Sequence, residues 1–203
     1  MATASKAAYE NNTKRARYFL RIHEDAQKGR GSPPLPYREL PRAAVVFSVG
    51  AIDAYLSEVS AEVMIRQFQA GVANKEARDV LQRVLKDIPT LSLEVAILAT
   101  SDERVQRVQD AVADHFHTNV SNHGQKAVSA AIVRMGRTPN QVWDHLVELG
   151  HKNPNAFLDH WTSIRHKIVH QGERPTVRRG GADSFIAFAD DLVARVDAIA
   201  EQS

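Results

Sequence analysis

Apolar residues recur at helical spacing along nearly the whole chain. Residues 6–27 are polar with sparse apolar positions and run into a Gly/Pro cluster at 29–36, which predicts a helix followed by a loop. A long helix is expected next, with Pro41 tolerated near its first turn. Within it Val45, Val49, Ile52, Leu56, Val59 and Val63 recur at spacings of three and four, a continuous buried stripe, and Gly71 supplies a stop. Residues 74–88 read as a helix ending near Pro89. The short apolar run LSLEVAILA fits a helix or a strand equally. A helix over 101–116 opens at Ser101, residues 117–124 read as a loop, and 124–136 as a further helix.

Two later helices carry clear punctuation. Thr138-Pro139 opens NQVWDHLVEL, closed by Gly150, and Asn153-Pro154 opens NAFLDHWTSIRHKIVH, closed by Gly172. A capping residue, proline at the first turn and glycine past the end is the asymmetry of a helix with defined limits. The loop ERPTVRRGG precedes a last amphipathic helix built on Phe185, Phe188, Leu192, Val196 and Ile199. There is no internal repeat. The expectation is all-α: one domain over 1–203, a bundle of about six to eight helices.

Composition adds limits. Hydrophobic residues at 43% and charged residues at 25% are those of an ordinary globular chain. No apolar run approaches the roughly 20 residues a membrane helix needs, and the N-terminus has no signal-peptide pattern, so a cytoplasmic protein without membrane contact is expected. With no cysteine, thiol catalysis and cysteine zinc sites are excluded. The net charge is only +2, but cations gather at 14–21, 165–167 and 174–179, where phosphate could be held.

The candidate chemistry lies in RHKIVH, residues 165–170. Phe157, Trp161, Ile164 and Ile168 form one apolar stripe at about 100° per residue. His166 and His170 lie nearly opposite that stripe and share a face, whereas Arg165 stands about 140° from His170. One isolated helix therefore does not aim Arg165 and His170 at the same point. The arginine stem narrows the gap, and a second chain supplying the same motif would close it better. His170 occupies the last turn, where the helix end carries partial negative charge. Histidine exchanges protons near neutral pH, and arginine binds phosphate bidentately. That pairing suits RNA cleavage without a metal, the 2′-hydroxyl attacking its own phosphate.

Other templates are weaker. His166-x3-His170 has metal-ligand spacing, and Asp114, His115, His117 and His123 offer further ligands, but no HExxH or other recognised zinc pattern is present. No GxxxxGK[ST], GxGxxG or GxSxG occurs, and no metal or other cofactor is expected. Gly180-Gly181, following Arg178-Arg179, is either a flexible loop or a small anion site at a helix start.

These residues resemble a known family. Arg165 and His170, closing an R-x4-6-H motif before Gly172, are similar to the motif of HEPN-domain ribonucleases, and closest to the stand-alone bacterial RiboL-PSP type. The helix PRAAVVFSVGAIDAYLSEV, with Asp53 and Tyr55, resembles the family's long helix. The resemblance covers roughly 40–70 and 153–173. His166 stands where the family most often has asparagine. The resemblance implies a HEPN-like helical core, with 74–136 a helical elaboration of it. It further implies a homodimer with a composite cleft and metal-independent endoribonuclease activity on RNA. In that scheme Arg165 holds the scissile phosphate, His170 is general base or acid, and His166 orients the phosphate. Asp53 positions Arg165 or a histidine, and Lys167 and Arg42 are supporting contacts to the RNA backbone. Family members commonly act as toxins or antiphage effectors restrained by an antitoxin or regulatory partner. Others keep only RNA binding or dimerisation, and that non-catalytic module is the competing expectation.

Overall fold

Helix α3 (Leu40–Gln69) organises the chain, because it is apolar on more than one face and must be covered on several sides. The computed structural model describes residues 4–27, 33–87, 102–119 and 124–203. Among these, all regular structure is helical. Besides α3 there are α1 (Ala4–Ala26), the single turn α2 (Leu35–Arg38), α4 (Lys75–Asp87), α5 (Asp102–Asn119), α6 (Gln125–Arg134), α7 (Asn140–Glu148), α8 (Pro154–Gln171) and α9 (Arg179–Glu201). The fold is the expected all-α bundle: eight helices and one isolated turn among the described residues.

The six stripe residues of α3 are all buried, and so are Ala44, Ala51, Tyr55, Ala61, Met64 and Ile65. Helices α1, α5, α6, α8 and α9 all pack against it. The stretch Leu35–Gln69 is long and apolar enough to cross a membrane by length and composition, which the reading of apolar runs did not anticipate. Of its most apolar window 61% is buried inside the bundle, and a central core helix meets the same test in this way.

Two clusters of buried side chains form along α3. The larger joins its first two-thirds to α1, α6, α7, α8 and α9. The smaller gathers Ala61, Met64 and Ile65 with Val80 and Val84 of α4 and Val112 and Phe116 of α5. Of residues 74–136, α4 and α5 belong to this second cluster, while α6 sends Val128, Ala131 and Ile132 into the first. The run LSLEVAILA and the Ser101 helix start lie outside the described residues.

Two boundaries differ from expectation. Helix α5 continues to Asn119, through the start of the expected loop. Helix α9 begins at Arg179, so Arg179, Gly180 and Gly181 are helical and the connector shrinks to 172–178. The reason is close packing: a Cβ at Gly181 would stand 3.2 Å from Trp161 Cη2, so glycine lets the indole lie on the first turn.

Helix α8 begins and ends where its punctuation says. Asn153 adopts a left-handed conformation (φ 50°) and its side chain accepts the Ala156 N–H. At the other end Gly172 (φ 66°) and Glu173 both return their N–H groups to the Lys167 carbonyl. The apolar stripe is core only in part. Trp161 is buried, Phe157 and Ile164 pack half-buried against the core, and the deepest side chain is Leu158 beside them. Ile168 is half-buried and Val169 is 46% exposed. The last two turns of α8 thus overhang the bundle. Leu158→Ala should therefore cost about 2–5 kcal/mol of stability and Ile168→Ala less than half of that, measured by urea unfolding.

Two ties hold the ends of α1, α3 and α9 near this overhang. Arg42 Nε donates to the Pro175 carbonyl at 2.9 Å, and Arg179 pairs with Glu24 of α1 at 3.0 Å. Near the second tie sits His23, buried at the end of α1. Burial lowers its imidazole from the ordinary value, and Arg179 lowers it further. The folded chain therefore keeps this ring neutral where the unfolded chain, titrating near about 6.5, begins to protonate. In that window the unfolded state binds more protons, so stability falls as pH falls. Urea midpoints at about pH 7 and about pH 5.5 should drop more for the wild type than for His23→Gln.

Candidate active site at the end of α8

The overhanging end of α8 carries the Arg/His trio on its water-facing side. His166 and His170 are exposed and one turn apart, the spacing that stacks side chains on a helix surface. Their ring centroids are 4.9 Å apart at an interplanar angle of 44°. Arg165, half-buried at the flank, reaches over one turn, and its Nη1 donates to His170 Nε2 at 2.9 Å. The expectation that one helix cannot aim Arg165 and His170 at a common point is therefore corrected. An angle of about 140° separates the two Cβ directions, but the guanidinium sits at the end of a long stem that spans it.

The contact specifies a tautomer of the histidine. Arginine has five N–H donors and no acceptor, so Nε2 must be the acceptor and the ring proton lies on Nδ1. The lone pair that a general base would use is occupied by Arg165. The Nε atom of Arg165 is buried and has no acceptor.

The other expected residues are placed as follows. Lys167 is exposed next to the trio. Asp53 is half-buried on α3, its carbonyl accepting the Ser57 hydroxyl. Arg42 is not an open cation. Its guanidinium is shared between the Pro175 carbonyl and Glu39 at 2.9 Å each, so it fixes the connector that follows His170. Among the described residues no group of three His, Cys, Asp or Glu could hold a metal. His123 and the side chain of His117 lie outside the described residues.

Charge divides the surface. A cleft of about 540 Å³ between α1, α3 and α5 is lined by Glu58, Glu62, Asp110 and Asp114 and would repel a phosphodiester. The α8 end has Arg165 and Lys167, with Arg174 and Arg178 exposed on the connector.

One residue that supports this helix gave no sign in the sequence. Asp159 Oδ1 accepts the Gln125 N–H at 2.8 Å and so caps α6, a helix other than its own. Gly124 (φ 83°) leaves the room, since a Cβ there would lie 2.7 Å from that oxygen. The pairing is purely tertiary and has no local signature.

No protein-family model, curated protein or solved structure matches the chain.

The Arg165–His170 bond is directly observable. With the imidazole neutral, nitrogen-edited NMR should show a pyridine-type Nε2 and a proton on Nδ1 of His170. Arg165→Ala should release that tautomer into a mixture. An Nε2–H tautomer in the wild type would exclude the contact.

Proposed function

We propose that the chain is a metal-independent endoribonuclease whose working site is the trio Arg165, His166 and His170, completed across a homodimer. One observation carries this reading: an arginine and a histidine of the expected motif lie 2.9 Å apart on an exposed, overhanging helix end, with a second histidine ring alongside. The overhang leaves that face free for a second copy, whose own trio would supply the partner acid.

The chemistry follows from the donor set. A phosphodiester is a better acceptor for the guanidinium than an imidazole, and it can take two parallel hydrogen bonds. RNA binding therefore draws Arg165 onto the phosphate and frees His170 Nε2. Nε2 takes the proton of the 2′-hydroxyl, the oxygen attacks the adjacent phosphorus, and the bond from phosphorus to the 5′-oxygen breaks. The products are a 2′,3′-cyclic phosphate and a 5′-hydroxyl. The proton for the leaving oxygen comes from an imidazolium, either His166 or the trio of the second copy. Arg165 and the exposed Lys167 offset negative charge gathering on the phosphoryl oxygens. A cytoplasmic effector restrained by a protein partner fits such an activity.

The same bond also favours a second reading. An arginine that satisfies the histidine of its own chain stabilises a helix end, and the face is then a non-catalytic RNA-binding or dimerisation surface.

The test is RNA cleavage in EDTA. The wild type should cleave, His170→Ala should lose about 10²–10⁴-fold in rate and Arg165→Ala about 10²–10³-fold, with the dimer intact by sedimentation. Normal cleavage by His170→Ala overturns the site, abolition by chelator transfers the case to a metal, and a strict monomer at micromolar concentration removes the composite cleft.

A further inference from the structure

Helix α9 begins without a cap. Arg178 at its N-cap makes no side-chain hydrogen bond to the helix, and no acidic residue stands in the first turn. Ala182 is the first residue whose N–H finds a helical acceptor, the Arg178 carbonyl at 3.1 Å. The N–H groups of Arg179, Gly180 and Gly181 therefore point out of the positive end of a 23-residue helix. The space beside Gly180 is open to at least 4 Å.

A buried ring from another helix packs on the same turn. Trp161 of α8 is only 7% exposed, yet its indole Nε1 has no acceptor. The Cζ2 and Cη2 atoms of that ring lie against Gly181, at 3.4 and 3.2 Å from where a Cβ would be. Nε1 is one atom from Cζ2 on this edge. Indole nitrogen can only donate, so the missing partner is an acceptor. One turn further along the same face of α8, the Arg165 Nε is also buried with no acceptor. Arg179 Nε likewise lacks a hydrogen-bond acceptor, although its group is ion-paired to Glu24 and Asp183. The unsatisfied atoms of Trp161, Arg165 and Arg179 are all donors, and Arg178 adds an exposed positive charge.

We propose that the first turn of α9 is a phosphate-binding site, formed by the Gly180 and Gly181 N–H groups and the Trp161 indole N–H. An anion with several acceptor oxygens suits donors arriving from two helices better than a single carbonyl or water does. This inference stands apart from the cleavage reading. If RNA is the source of the phosphate, the group held here is a neighbour of the scissile one.

The full chain is titrated first with inorganic phosphate and then with a short 2′-O-methyl RNA that cannot be cleaved, while amide and indole N–H resonances are followed. The Trp161 indole and the Gly180 and Gly181 amides should move together. Gly180→Glu places a carboxylate in the open space, where the helix dipole favours it, and should keep the fold while weakening phosphate binding about tenfold or more. Trp161→Phe keeps the ring packing and should weaken binding several-fold. Shifts induced by the oligonucleotide at concentrations where phosphate has no effect assign the site to the nucleic-acid backbone. Shifts with phosphate alone assign it to the free ion or a monoester. Stationary Trp161, Gly180 and Gly181 resonances in both titrations, or unchanged binding by Gly180→Glu, overturn the proposal. A chain whose Trp161, Gly180 and Gly181 resonances move with phosphate but which never cleaves RNA refutes the nuclease reading alone.

Discussion

Covering α3 is the constraint from which the arrangement follows. A helix of 30 residues with apolar side chains on several faces cannot be left half in water. Helices α1, α8 and α9 share one buried cluster with it and α4 and α5 a second toward its end, so the buried side chains fall into two clusters along one rod. The small residues of α3 let neighbours approach closely, and its buried Ser48 hydroxyl bonds back to the Ala44 carbonyl instead of needing a partner elsewhere.

Helix α8 serves this cover with only its first half. Leu158 and Trp161 are spent on the core, and beyond Ile164 only Arg165 and Ile168 are half-buried while the other side chains up to Gln171 are exposed. The same 18-residue segment therefore supplies packing at one end and exposed, protonatable groups at the other. The core turns anchor the part of the helix from which the exposed rings of His166 and His170 project. The two ends of the helix are linked through the arginine, whose Nε is buried while Nη1 is at the surface histidine.

Much of this was legible in the residues themselves. The α3 stripe, the Asn153-Pro154 opening, the Gly172 stop and the shared face of the two histidines follow from periods and caps, which are local properties. What escaped is tertiary or depends on side-chain length. Angles around a helix locate Cβ atoms, so they placed Arg165 too far from His170 and could not show how far its guanidinium extends. The greater depth of Leu158, one position off the Phe157 stripe, depends on where the covering helices cross. Arg42 looked like a spare cation because its acceptor is a backbone carbonyl 133 residues away. The Gly180-Gly181 pair read first as a flexible loop, because nothing local announces the Trp161 ring packed against it.

The carboxylate of Asp159 ties α8 to a helix that starts 34 residues earlier. Because the cap of α6 is borrowed, α6 cannot begin properly unless α8 is already folded, and α8 loses a satisfied carboxylate whenever α6 frays. One side-chain bond therefore couples the start of α6 to the middle of α8.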